Sequence, residues 1–426
     1  MERIVPEQDA DHSQDAKKLA IRLSSRTNRF FAASLPVIST RVFFQPIARS
    51  IVATPDGDHG AAANDPRRQL FDHTSGRRTV THSAAVMLVV RGIAMTELGV
   101  ALLTFADAGI DELVSLGRYA EGLGYTSCYT TESLTDTLAI DLAIAMGTER
   151  IRVGSFVAIS YMRHPVIAAQ SAVVVSDLSG GRFVLGLGVG HRLRVEALGI
   201  EVGKPSGDLP AYIRDVRALL DGHGSARYPD LPPQSYRGVA LDFRTSVYPV
   251  PIYAAAVGPR MAEAGAAVAN GLMVYLVPRA GLAELAQAAA KGAQAVGRAG
   301  SVPMDLAVHA FVDDDLVLAR ECARASLAYW VGLPAYNAAL ARAGYEAEAA
   351  EQRTAFAARD EPRLRAAITD RLIDDYCLVG PPTRCREQLA AWQETGAATL
   401  AIMPDPVAPG ERYTEAVRRT LAVLAP

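Results

Sequence analysis

From Leu98 to the C-terminus, short apolar runs alternate with longer amphipathic stretches. The apolar runs are Leu98–Thr104, Ser127–Thr131, Arg152–Ile159, Phe183–Val189, Ile252–Ala256, Leu272–Val277, Asp305–Val312 and Thr399–Met403. Most are near-continuous, the pattern of parallel strands buried on both faces. Between them lie helical patterns at Ile110–Leu123, Asp136–Met146, Pro165–Leu178, Leu209–Leu220, Arg260–Ala269, Gly281–Val296 and Arg412–Leu424. In the first, Leu113, Leu116 and Leu123 share one side and charges the other. Asp136 suits an N-cap, and Pro165 a first helical position.

Eight strand–helix units predict an α/β fold, a (β/α)8 TIM barrel. A doubly wound sheet is the alternative, with a reversal of strand order at a switch point. Two stretches exceed the barrel plan, Gly222–Val250 and Leu316–Cys377, and both are expected over the mouth at the C-terminal ends of the strands. The first 94 residues differ from the rest. They carry 13 basic and 9 acidic residues, while the remainder carries 30 and 37. They hold polar, punctuated stretches such as Pro55–Gly60 and Asn64–Arg68, without a sustained period. Residues 1–94 therefore read as a largely disordered N-terminal extension, either a non-native upstream segment or a regulatory or targeting arm, and residues 95–426 as the barrel domain.

Composition narrows the function classes. Half of the 426 residues are hydrophobic, ample for a large core. A net charge of −3 gives no electrostatic case for nucleic acid. The longest apolar candidate, Ala84–Val90, is far too short to span a membrane. Four cysteines make no disulfide framework, so a reducing, cytoplasmic setting is expected. No His, Cys, Asp or Glu cluster has metal-ligand spacing, and no metal site is expected.

The chemical signals gather at strand ends. Gly186, Gly188 and Gly190 alternate, so they share one face of the fourth strand. Such a face admits either a flat ring or phosphate close to the backbone, or tight packing of the barrel. His191 and Arg194 follow directly. Val257-Gly258-Pro259-Arg260 ends a strand and opens a helix, where free N–H groups favour an anion. His164 precedes Pro165 and reads as a helix cap or a functional group. His309 alternates with Ala307 and Phe311, so it points into the barrel or is a satisfied core group.

These passages in this order resemble the bacterial luciferase-like oxidoreductases, and more closely the branch that uses the deazaflavin coenzyme F420. The resemblance rests on Thr130–Ser133, Arg152–Pro165, Asp177–Gly190, Ala254–Arg260 with Ala264–Gly271, and Leu378–Thr383 with Gly396–Leu400. It implies a barrel holding coenzyme F420, or FMN, at the C-terminal mouth. Thr131 would lie near the ring, and Ser155, Phe156 and Val157 would form a third-strand bulge behind it. A non-prolyl cis bond is implied at Ser155–Phe156 or Phe156–Val157. Gly188, Val189, Gly190, His191 and Arg194 would flank ring and tail, and Val257 and Gly258 would hold the tail phosphate. Glu132 and His164 are the candidate catalytic acid/base groups. The implied activity is hydride transfer between the coenzyme and a small organic substrate. The alternatives are an FMN-dependent monooxygenase served by a flavin reductase, and a non-catalytic flavin-binding barrel. Assembly as a homodimer is left open.

Overall fold

The computed structural model describes residues 96–104, 107–133, 135–222 and 244–426, together with the backbone at 235–236 and 239–240. The expected N-terminal extension and most of Gly222–Val250 lie outside the described residues. In chain order the first elements are β1 (Glu97–Leu102), α1 (Ile110–Leu123), β2 (Ser127–Thr130), α2 (Thr137–Gly147) and β3 (Arg152–Ser155). Next come β4 (Ala158–Ile159), α3 (Pro165–Ser179), β5 (Phe183–Gly188), α4 (Arg192–Ala197) and α5 (Pro205–Leu220). A small hairpin, β6 (Ser235–Tyr236) and β7 (Val239–Ala240), precedes β8 (Ile252–Ala255), α6 (Pro259–Ala266), β9 (Gly271–Tyr275), α7 (Leu282–Ala295) and β10 (Met304–Val312). Five helices follow: α8 (Leu316–Gly332), α9 (Pro334–Arg342), α10 (Glu346–Ala358), α11 (Glu361–Ala366) and α12 (Asp370–Tyr376). The chain ends with β11 (Cys377–Gly380), α13 (Pro382–Gln393), β12 (Thr399–Pro404) and α14 (Tyr413–Val423).

The eight expected strands close a parallel barrel in the order β1-β2-β3-β5-β8-β9-β10-β12, and β12 pairs back onto β1. The expected TIM barrel is therefore the fold. Side-chain alternation builds its interior. Ala101, Tyr129, Phe156, Val184, Met273, Ala307, Ala401 and Met403 form one buried cluster inside the ring. The floor beneath is polar. Tyr129 donates to Asp305 Oδ2 at 2.5 Å, and Arg152 Nη2 lies 2.7 Å from Thr399 Oγ1 and 3.3 Å from Glu97. The outer faces pack on the helices, with Leu113 and Leu116 of α1 buried as the periodicity predicts.

Three features depart from the plain barrel plan, and the first, a break with a cis bond at Phe156–Val157, is the one the resemblance implies. The third strand is interrupted, running as β3, then a cis Phe156–Val157 peptide, then β4 paired to β5. An extra strand, β11, pairs with the second half of β10, His309↔Cys377 to Val312↔Gly380. The first half of β10 pairs with β9, ending at Ala307↔Tyr275. The third departure concerns the first insertion. Its described end, 244–250, packs against the C-termini of α3 and α5, where Arg244 and Ser246 bind Asp177. It follows a helix and precedes a strand, so connectivity puts it at the end opposite the mouth. Of the two stretches, Leu316–Cys377 follows a strand and stands at the mouth.

Candidate functional site

The most specific sequence passage, Asp177–Gly190, divides into a structural half and a mouth half. Gly180 and Gly181 take φ of 65° and 83° and turn α3 into β5. Arg182 then donates to the carbonyls of Ser179, Ile151, Ala145 and Thr148 at 2.6–3.0 Å, stitching the ends of α2 and α3 to β3. Burial holds its guanidinium pKa down. Past Arg182 the strand meets the interrupted third strand.

The alternating glycines are accounted for by that meeting. A Cβ on Gly186 would lie 2.0 Å from the Ser155 carbonyl oxygen and 2.3 Å from Met273 Sδ. One on Gly188 would lie 2.4 Å from Val157 Cγ2. Ser155 Oγ bonds both the carbonyl and the N–H of Gly186, at 2.8 and 3.1 Å. The glycines thus admit the bulge at Ser155-Phe156-Val157. Of the two readings of this face, tight packing holds for the side-chain positions of Gly186 and Gly188, where Met273 and Val157 stand. Gly190, at φ 69°, turns the chain out of β5 beside Ile159.

Glu132 is the centre of a buried ion pair. Its two oxygens accept from Arg163 Nη1 and Nη2 at 2.7 and 2.5 Å, and the Ile159 N–H donates to one of them. The side chains are 9% (Arg163) and 4% (Glu132) exposed. Arg163 also reaches Asp136, 3.0 Å away. The arrangement ties the end of β2 to the turn after β4. His164 sits at the N-cap of α3, exposed, with Nδ1 accepting from the Val166 N–H at 3.3 Å. Thr131 is held by Thr104, whose hydroxyl donates to the Thr131 carbonyl at 2.5 Å.

The insertion supplies a wall over the mouth. His191 lies 4.9 Å from the Trp330 ring and 5.7 Å from Tyr336, centroid to centroid. Burial, with Arg194 beside it, lowers the His191 imidazole to about 4. Arg194 in turn lies 3.4 Å from Ser133 Oγ. On the far side, Gly258 is the N-cap of α6, with Val257 before it. Arg342, the last residue of α9, donates to the Val257 carbonyl at 3.2 Å. Its Nη2 stands 3.2 Å from where a Gly258 Cβ would be.

A third cluster went unassigned in the sequence reading. Tyr275 Oη is 2.8 Å from His309 Nε2, and His309 Nδ1 is 2.6 Å from Asp405 Oδ2. Tyr275 ends β9, His309 rises past it on β10, and Asp405 follows β12 directly. Tyr275 meets Tyr336 edge-on at 6.1 Å, so the triad opens onto the same aromatic wall as His191. Of the sequence candidates, the fold brings Ser155–Val157 against Gly188 and links Glu132 to the same turn. It does not bring Glu132 or His164 to a free position. The signals for the missed residues were faint: a period of two at His309, and an acid just past a strand at Asp405.

Among the described residues no helix is long and apolar enough to cross a membrane, and no group of His, Cys, Asp and Glu could hold a metal ion. A family profile for luciferase-like monooxygenases matches residues 90–399. The chain is 27% identical over 311 residues to the 5,10-methylenetetrahydromethanopterin reductase of Methanolobus tindarius, covering 71% of this chain and 93% of that one. Its fold is similar to that of the coenzyme F420-dependent tetrahydromethanopterin reductase of Methanopyrus kandleri, with a TM-score of 0.60 at 18% identity over 77% of this chain and 97% of the other. It is also similar to the oxygenating constituent of 3,6-diketocamphane monooxygenase from Pseudomonas putida, solved with FMN, with a TM-score of 0.52 at 15% identity over 78% and 98% of the two chains. The barrel, the interrupted third strand and the matched span agree: this chain belongs to the luciferase-like monooxygenase family, a family of flavin- and deazaflavin-dependent oxidoreductases.

Proposed function

We propose that the protein is an oxidoreductase that transfers a hydride between coenzyme F420 and a small organic substrate. The observation that carries the coenzyme site is Arg342 above Gly258. A guanidinium, held also by Glu284 at 3.1 Å, stands beside a helix N-terminus at Gly258, where a Cβ would lie 3.2 Å from Arg342 Nη2. That donor set fits a phosphate, as both coenzyme F420 and FMN carry. The likeness to a methylenetetrahydromethanopterin reductase along nearly its whole length favours the deazaflavin.

When bound, the deazaflavin ring supplies hydride chemistry at one ring carbon. The chain supplies position and field. Ser155, Phe156 and Val157 form the back wall, held by the Glu132–Arg163 pair through the Ile159 N–H. The backbone of Gly188–Gly190, with Thr131, borders the ring. His191, kept neutral by burial, and Arg194 flank the tail. Val257 and Gly258 receive the phosphate, with Arg342 as counter-charge. Glu132 acts in this reading as a positioning residue, because both of its oxygens are already bonded. His164 caps α3.

Four free cysteines are consistent with a reducing, cytoplasmic compartment. An exposed apolar stripe on α3, at Ile167, Val174 and Leu178, supports pairing of two copies through that helix, which light scattering would test. Fluorescence titration with each coenzyme tests the central reading. Coenzyme F420 should bind at least tenfold more tightly than FMN. Tighter FMN binding, with oxygen uptake once a flavin reductase is added, would replace it with the monooxygenase reading.

A further inference from the structure

The triad of Tyr275, His309 and Asp405 has a geometry that ordinary packing does not require. Three polar groups, two on strands and one just past a third, meet at the mouth at 2.8 and 2.6 Å. The register explains how. β10 outlasts β9, so His309 stands one step above Ala307↔Tyr275 and its ring reaches over the tyrosine. Asp405 is anchored where its N–H donates to the Ala310 carbonyl at 3.0 Å. His309 is 4% exposed, while the Tyr275 ring is half-buried and turned to the Tyr336 side of the mouth. His309 thus lies buried between two half-buried groups, and of these Tyr275 is the one that meets the aromatic wall at Tyr336. The triad touches none of Glu132, His164 or Arg342.

We propose that Tyr275 is the catalytic residue that exchanges a proton with substrate oxygen, that His309 resupplies it, and that Asp405 positions His309; the substrate class is a ketone or aldehyde and its alcohol. The inference rests on the hydride-transfer reading above. In the reducing direction, hydride from the reduced deazaflavin forms a C–H bond at the carbonyl carbon. The C=O π pair moves to oxygen, which takes the Tyr275 proton. Tyr275 recovers its proton through His309 Nε2, which takes one from solvent while Asp405 holds Nδ1. The carbonyl is reduced to an alcohol and the coenzyme is oxidised. Alcohol oxidation runs the same steps backwards.

Burial, with Tyr336, Asp405 and Cys377 close by, holds the Tyr275 pKa well above the usual tyrosine range, so the hydroxyl keeps its proton. The groups that face the triad are few. From β11 comes the Cys377 thiol, from α9 Tyr336, and from α8 Cys322, which senses Asp405. Phe311 stacks on His309 at 6.0 Å. Asp405 is the carboxylate in contact with the imidazole.

Two measurements test this. Nitrogen NMR of the full-length protein reads the His309 ring. Nδ1 should carry a proton shared with Asp405, as the 2.6 Å contact requires; a ring with bare Nδ1 overturns the relay. Reduction of cyclohexanone and benzaldehyde by reduced coenzyme F420 reads the chemistry. Tyr275→Phe keeps the ring and its packing, and should cut kcat about 100-fold or more, on the scale of lost acid–base catalysis. Its coenzyme affinity should stay within twofold. A Tyr275→Phe rate within threefold of wild type overturns the proposal, and so does failure of wild type, with coenzyme bound, to reduce either probe. Failure of wild type to bind the coenzyme at all would instead sink the coenzyme assignment, and the NMR result would still decide the relay.

Discussion

Replacing Glu132 by Gln removes one charge from a buried pair and turns one of its two acceptors into an NH2 that faces an Arg163 N–H. The amide keeps the shape and one acceptor oxygen for the Ile159 N–H. Arg163 keeps Asp136 at 3.0 Å, but that carboxylate is 60% exposed, so solvent weakens its attraction. Two unit charges about 4 Å apart at an effective dielectric near 20 attract by about 4 kcal/mol. Removing one partner of a buried pair typically costs about 3–5 kcal/mol. The neutral amide avoids burying a carboxylate and the Asp136 contact persists, so the low end applies, about 3 kcal/mol. With a urea slope of about 3 kcal/mol per molar for a domain of this size, the midpoint should fall by about 1 M. Coenzyme affinity should fall as well, because the lost tether frees the turn behind the wall. Urea unfolding followed by circular dichroism, and coenzyme titration, read the two effects. A Glu132→Gln protein with an unchanged midpoint, unchanged coenzyme affinity and no turnover would refute this reasoning and make Glu132 the proton donor.

Other outcomes follow from the same geometry. Gly186→Ala puts a Cβ 2.0 Å from the Ser155 carbonyl oxygen, and should destabilise by about 2–4 kcal/mol in the same unfolding assay. Gly258→Asp sets a like charge against a phosphate and fills its cradle, so coenzyme affinity should weaken by about 1–3 kcal/mol in fluorescence titration; Arg342→Met should weaken it in the same direction with no change in fold. His191 has a folded pKa of about 4 against 6.5 ordinarily, so the unfolded chain binds more protons between those values and stability falls on acidification. At pH 5 the loss should be about 2 kcal/mol relative to pH 7, and His191→Gln should lack it. A chain starting at Met95 should bind coenzyme as well as the full chain; loss of affinity would make residues 1–94 part of the working protein.

The barrel was legible along the chain because its strands are buried on both faces and its helices on one. Burial of that kind leaves a period in the residues themselves, as at Leu98–Thr104 or Leu113 and Leu116. Glycine spacing was legible too, but not its cause. Gly186 and Gly188 fit either room for a ring or tight packing, and only the fold brings Ser155, Val157 and Met273 against them. Position in the repeat decided the insertions: Leu316–Cys377 follows a strand and walls the mouth, while 244–250 follows a helix and lies at the other end. The site chemistry was least legible. Glu132 looked like a strand-end acid, and only the fold delivers Arg163, 31 residues on, to take up its oxygens. Tyr275, His309 and Asp405 are separated by 34 and 96 residues, and no local pattern links them. Periodicity records what one element does against the core. The chemistry depends on which ends of different strands a closed barrel brings together, and that is settled by register and closure rather than by neighbours in the chain.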